Sequence, residues 1–194
     1  MAKNSLETQV SQSHGSIARD KNTIRVWVPA SMFGQAAVTG TWALEENSNV
    51  FSLATDDASS TNVIEIPLPM WCSDAALQSG TGVTDRGVQV IGLEVLYQVA
   101  TSALGGFDMD IYKLTLNSTT VPTAAEVVTT LSADTGSDDG TEVDTHRMEA
   151  VINSRDRFFL DSNTQVYGQL DITDGTSSDV NLFGAMWHLR VLDE

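Results

Sequence analysis

Three histidines stand where hydrolytic chemistry would be sought: His14, His146 and His188. A hydrolytic triad needs a nucleophile beside a base and a third group that orients the base. His14 lies in a polar stretch, His146 opens a strand-like run, and His188 falls on the polar side of the final one. No serine sits in a G-x-S-x-G elbow. Glu65, Glu94 and Glu149 lie within strand-like runs, where a concave sheet face would gather carboxylates for glycoside hydrolysis. With 26 acidic residues in 194, some such pair always arises, so the pattern singles out none of them. The sequence assigns no catalytic residue, and a non-enzymatic protein is expected.

Ligand chemistry is equally sparse. The stretch 134–144 carries five carboxylates and no basic residue, the oxygen-rich composition that hard cations such as calcium use. Placing Gly140 at the sixth position of an EF-hand loop puts Thr135 and Ser137 where aspartates belong and His146 where the bidentate glutamate belongs. Residues 171–175 fail in the same way. A solvated acidic loop is expected, with no metal ligand and no cofactor. Trp27, Trp42, Trp71 and Trp187 offer a possible saccharide-stacking platform, set against the ordinary role of strand tryptophans as core. Cys72, beside Met70 and Trp71, reads as a small apolar side chain; alone, it excludes an intramolecular disulfide. Asn117-Ser118-Thr119 matches a glycosylation sequon and reads as a turn. No glycine-rich phosphate loop occurs.

Charge narrows the partners. The formal net charge is −16 and the pI about 4.2, a surface that repels phosphate backbones and anionic membranes. The first 25 residues hold four basic and two acidic groups, whereas the rest hold six basic and 24 acidic. A cationic arm on an acidic body suits docking against a neighbouring copy. No run approaches the ~18 apolar residues of a membrane-spanning helix. The polar start shows no apolar leader core, so no secretory signal is expected.

The elements that must position any site are strands. Period-2 apolar alternation dominates, at 24–28, 37–44, 49–53, 62–69, 88–99, 107–116, 146–152, 157–160, 165–172 and 182–192. Val88 and Val90 alternate in one phase, Gly92 interrupts, and Leu93, Val95, Tyr97 and Val99 resume in the other, which predicts a β-bulge. Phe107, Met109 and Ile111 face one way before Tyr112, Leu114 and Leu116 take the other. Phe183, Ala185, Trp187, Leu189 and Val191 share a parity, so the last strand is expected to be central, with Val95, Tyr97, Phe183, Trp187 and Leu189 in the core. Thr123 and Glu126 form a capping box ahead of an apolar stripe, which predicts one short helix at about 122–132. Together these predict an all-β antiparallel sandwich of jelly-roll type over 23–194, preceded by an extended polar arm at 1–22. An immunoglobulin-like sandwich is the second choice, lacking its Cys…Trp…Cys framework.

The runs at 88–97 and 182–191, separated by Asp/Thr/Ser-rich loops, resemble jelly-roll virion proteins of tailed bacteriophages, of the capsid and head-decoration type. The resemblance covers roughly 24–192 as a pattern and carries no site residue. It implies a self-assembling structural subunit, trimeric or on a lattice, in contact with other virion proteins and located in the virion after synthesis in the host cytoplasm. The acidic body departs from an inner shell lining DNA and favours an outward position, with no direct nucleic-acid or membrane partner. A carbohydrate-binding sandwich module is the alternative reading.

Overall fold

The computed structural model describes residues 23–37, 42–47, 50–55, 62–69, 87–115, 126–134, 141–160, 164–174 and 179–192. The arm at 1–22, Trp71, Cys72, the sequon and most of the acidic stretch lie outside these residues. Eleven strands are described: β1 (Thr23–Pro29), β2 (Gly34–Ala37), β3 (Ala43–Asn47), β4 (Val50–Thr55), β5 (Asn62–Pro67), β6 (Gly87–Val99), β7 (Leu104–Thr115), β8 (Glu126–Asp134), β9 (Thr145–Val151), β10 (Thr164–Asp174) and β11 (Val180–Leu192). A single 3₁₀ turn, Ala30–Met32, follows β1 where Pro29 cannot donate to the ladder.

The strands form two sheets, and every pairing is antiparallel. One runs β3-β4-β11-β6-β9, with β1 also on β11; the other runs β2-β5-β10-β7-β8. Most successive strands change sheet, which is how a jelly roll closes its two layers. The apolar parity of β5 (Ile64, Ile66), β7 (Phe107, Met109, Ile111), β10 (Val166, Leu170, Ile172) and β6 (Leu93, Val95, Tyr97) meets between the sheets as one core. Tyr97 and Phe107 stack across that interface with ring centroids 4.2 Å apart. Gly168 leaves room for a side chain of the other sheet: a Cβ there would stand 2.2 Å from Leu93 Cδ2.

β11 is central, as its apolar content implies. β6 pairs along one edge, while the other is shared between β4 (at Val180–Leu182) and β1 (from Gly184 to Arg190). The bulge expected at Gly92 is present: His188 pairs with Gly92 and Leu189 with Val90, leaving Ile91 as the extra residue. A second bulge falls between Leu182 and Gly184 and corrects the reading of Phe183. Val180 and Leu182 are buried before it, and Ala185, Trp187 and Leu189 after it, so the inward parity switches and Phe183 is turned out. The other four expected core residues, Val95, Tyr97, Trp187 and Leu189, are buried.

The helix expected at 122–132 is corrected over its described part, from residue 126 on. Residues 126–134 form β8, paired with β7 from Lys113↔Glu126 to Gly106↔Asp134. Val127, Val128, Thr129 and Thr130 form a β-branched run that suits a pleated strand better than a helix. The open edge of β7 supplies a full ladder, which outweighs a local capping signal. Residues 157–160, expected as a strand, contribute only the bridge Phe159↔Gln89: the Val90 amide of β6 donates to the Phe158 carbonyl, and the Leu160 amide donates back to the Val88 carbonyl.

Candidate functional site

Each sheet has an outer face, and the two differ in chemistry. On the five-stranded sheet the outward parity of β10 is Gln165, Tyr167, Gln169 and Asp171, flanked by Asp108, Asp110 and Tyr112 on β7 and by Glu65 and Pro67 on β5. Register sets the neighbours: Tyr167 pairs with Tyr112 and Pro67, Gln169 with Asp110 and Glu65, Asp171 with Asp108. The two half-exposed tyrosine rings lie parallel, with centroids 5.2 Å apart and planes 9° apart. Tyr112 donates its hydroxyl to Asp110 Oδ2 at 3.3 Å. Burial, with Asp110 adding to it, pushes the Tyr112 phenol up; burial, with Glu65 adding to it, does the same for Tyr167. Both remain protonated donors at neutral pH.

The carboxylates beside them are crowded. Burial raises the Asp171 acid, nearby Asp110 and Asp108 raise it further, and a hydrogen bond from Gln169 at 3.2 Å opposes them. Asp110 Oδ1 is buried and accepts no hydrogen bond from the described residues. A concavity of about 330 Å³ adjoins this row, lined by Met32, Gly34, Glu65, Pro67, Gln165 and Tyr167. Aromatic faces, fixed phenol donors and carboxylate acceptors together form a surface able to stack on and hydrogen-bond to a polyhydroxylated ligand.

The outer face of the six-stranded sheet is divided. At its middle, Glu94 is nearly buried and bonds Arg147 Nη2 at 2.6 Å and His188 Nε2 at 3.1 Å; Glu149, its cross-strand neighbour, lies 3.5 Å from Arg147. The Glu94 hydrogen bond raises the Arg147 guanidinium most, against the effect of burial. Burial dominates at His188 and lowers it; Arg25 on the adjacent strand adds to that, while the Glu94 hydrogen bond opposes it. His188 is therefore neutral, Nε2 carries the proton to Glu94, and the buried Nδ1 has no hydrogen-bond partner among the described residues.

Beside this network opens an apolar groove of about 890 Å³, lined by Trp27, Pro29, Leu44, Phe51, Leu96 and Phe183. Trp27 is 50% exposed, Leu44 55% and Phe51 64%, the large apolar side chains that a folded surface normally hides. Trp27 lies against Gly184, where a Cβ would come within 2.3 Å of its ring.

The sequence candidates separate accordingly. Glu94 and Glu149 are brought together but share Arg147, and Glu65 lies in the other sheet, so no open acid pair results. His146 is buried, packs on Tyr97 and bonds the Glu142 carbonyl at 2.7 Å; no nucleophile accompanies it in these contacts. Of the tryptophans described, Trp42 and Trp187 are buried, bonding Asn62 Oδ1 and the Pro67 carbonyl, and Trp27 alone is exposed. Asp171 and Asp174 belong to β10, not to a loop. Among the described residues no group of three or more His, Cys, Asp or Glu is placed to hold a metal ion, and no helix is long and apolar enough to cross a membrane. The Tyr112–Tyr167 pair was missed. Its signal was the aromatic residue within the polar parity Gln165, Tyr167, Gln169, Asp171.

The two layers define an antiparallel β-sandwich of jelly-roll type. No family model and no curated protein matches the chain. Among solved structures it is similar to the xylan-binding module CBM15 (9% identity, TM-score 0.45, 89% of this chain and 99% of that one). It is also similar to the C-terminal family 22 carbohydrate binding module of Clostridium thermocellum Xyn10B (9% identity, TM-score 0.44, 90% and 98%). A chain of the infectious bursal disease virus Gt strain follows at 8% identity and TM-score 0.36, covering 90% of this chain and 33% of that one.

Proposed function

We propose that the chain is a non-catalytic binding module that holds a neutral oligosaccharide on the outer face of the five-stranded sheet. The observation that carries this is the Tyr112–Tyr167 pair standing among Glu65, Asp110, Gln169 and Asp171 beside a concavity. A pyranose presents an apolar ring face and a rim of hydroxyls. The tyrosines match the first, and the amide and carboxylates match the second. The carboxylates select against acidic sugars by like-charge repulsion. Titration calorimetry with cellohexaose, xylohexaose and maltohexaose tests the reading. Tyr167→Ala should weaken the best binder about tenfold, or ~1.4 kcal/mol. Absence of heat for every neutral glycan, on calorimetry and on an array, rejects the proposal.

A second reading, a self-assembling structural subunit such as an outer virion component, is favoured by one observation on the opposite sheet: the exposed apolar groove around Trp27 and Phe51.

A further inference from the structure

We infer that this groove seats residues 1–22 of a second copy of the chain. Three of the six large apolar side chains that the described residues expose, Trp27, Leu44 and Phe51, gather in this one groove. Its walls are almost wholly apolar, which fits aliphatic side chains and offers few partners to a hydroxylated or charged ligand. The segment 1–22 supplies Leu6, Val10 and Ile17 as apolar anchors.

Charge favours the same occupant. Lys3, Arg19 and Lys21 outnumber Glu7 and Asp20 in the segment, whereas residues 23–194 hold seven basic and 24 acidic groups. Two such bodies meeting groove to groove would repel each other; the segment is the part of the chain whose sign is opposite. Glu46 stands exposed on β3 and pairs directly with Phe51, so a carboxylate adjoins the groove. These exposed pairs contribute ~0–1 kcal/mol each, which leaves the apolar anchors to supply most of the affinity.

Connectivity lets a neighbouring copy supply the segment. The segment joins at Thr23, while the groove is lined by Trp27 and Pro29 at the far end of β1. Six residues of strand separate Thr23 from Pro29, roughly 20 Å, and a chain continuing in the direction of β1 leads away from its own groove. Extended, 22 residues span up to ~70 Å, enough to cross to an adjacent body. Each copy then carries one segment and one groove, a head-to-tail contact that closes into a ring or propagates as an open filament.

Sedimentation velocity on the full chain tests this, with two variants that leave the core untouched. Phe51→Asp spoils the groove and keeps the segment; the triple variant Leu6→Asp, Val10→Asp, Ile17→Asp spoils the segment and keeps the groove. The wild type should associate with increasing concentration, and each variant alone should associate at least tenfold more weakly, because each buries a charge in an apolar seat. Mixing the two variants should restore one intact contact and yield a heterodimer. A wild type that stays monomeric, a Phe51→Asp variant that assembles normally, or a mixture that gives no heterodimer overturns the inference. Far-ultraviolet spectra of both variants should match the wild type.

Discussion

Trp187→Ala is the sharpest test of how the two layers are held. Trp187 lies on β11 in the six-stranded sheet with no exposed surface, and its Nε1 donates to the Pro67 carbonyl of β5 in the other sheet at 3.0 Å. The side chain therefore fills the interior and ties one layer to the other. Removing a buried tryptophan typically costs ~3–5 kcal/mol through lost transfer energy and the cavity left behind. The widowed Pro67 carbonyl adds ~1 kcal/mol where water cannot replace the donor. Against a total stability of ~5–15 kcal/mol this removes roughly a quarter of the margin or more. Trp187→Phe separates the two contributions, since it keeps most of the packing and loses only the hydrogen bond and the second ring. Urea melts followed by circular dichroism at fixed pH should place Trp187→Phe about midway between the wild type and Trp187→Ala. A Trp187→Ala midpoint within ~1 kcal/mol of the wild type would mean that the residue is not inside the sandwich.

Gly168→Ala should destabilise by ~1–3 kcal/mol because its Cβ collides with Leu93 Cδ2 in a core that cannot expand; paired with Leu93→Ala, the double variant should lose less than the sum of the two, measured as a double-mutant cycle. Asp171→Asn should raise the melting temperature at neutral pH: burial and the neighbouring Asp110 and Asp108 raise the folded-state acid, so its favourable contribution exists in acid and is lost as pH rises through the folded value. That advantage should vanish on acidification, and the same variant should bind oligosaccharide more weakly, since an acceptor is gone. His188→Gln should flatten the acid side of the stability profile. With the folded imidazole lowered by burial, the stability it contributes is full above about pH 6.5, the unfolded value, and is lost as pH falls through the folded value, because the unfolded chain takes up the proton first. Equal slopes for His188→Gln and wild type between neutral and mildly acid pH would refute it.

What was readable in the sequence was what parity encodes locally. Buried positions on β5, β6, β7 and β10 follow from alternation alone, and Gly92 announced its bulge because the apolar phase visibly changes around it. Gly184 stands at an equivalent switch, yet Phe183, Ala185, Trp187, Leu189 and Val191 keep one apolar parity straight through it. The phase change was therefore masked by an outward phenylalanine. β8 was misread for a different reason: a helix cap is a contact within four residues, whereas the ladder that wins comes from β7. The tyrosine pair depends on register between β7 and β10, where Tyr112 and Tyr167 lie 55 residues apart; the local pattern marks Tyr167 as an aromatic on a polar parity but not its partner. The same holds for the division of the outer faces into polar and apolar, which arises only when pairing decides which strands lie side by side.

The shared edge of β11 has a kinetic consequence. Its partners β1 and β4 come from the first third of the sequence, and the pairing runs Thr23 with Arg190 through Pro29 with Gly184. Closing that ladder joins residues about 160 apart, so the six-stranded sheet lacks its central member until nearly the whole described chain has emerged from the ribosome. Contacts of such long sequence range place folding toward the slow, millisecond-to-second end for small domains. In the interval β1, β4 and β6 each present an unpaired edge, and nascent chains held close together on a polysome can exchange β11 between them.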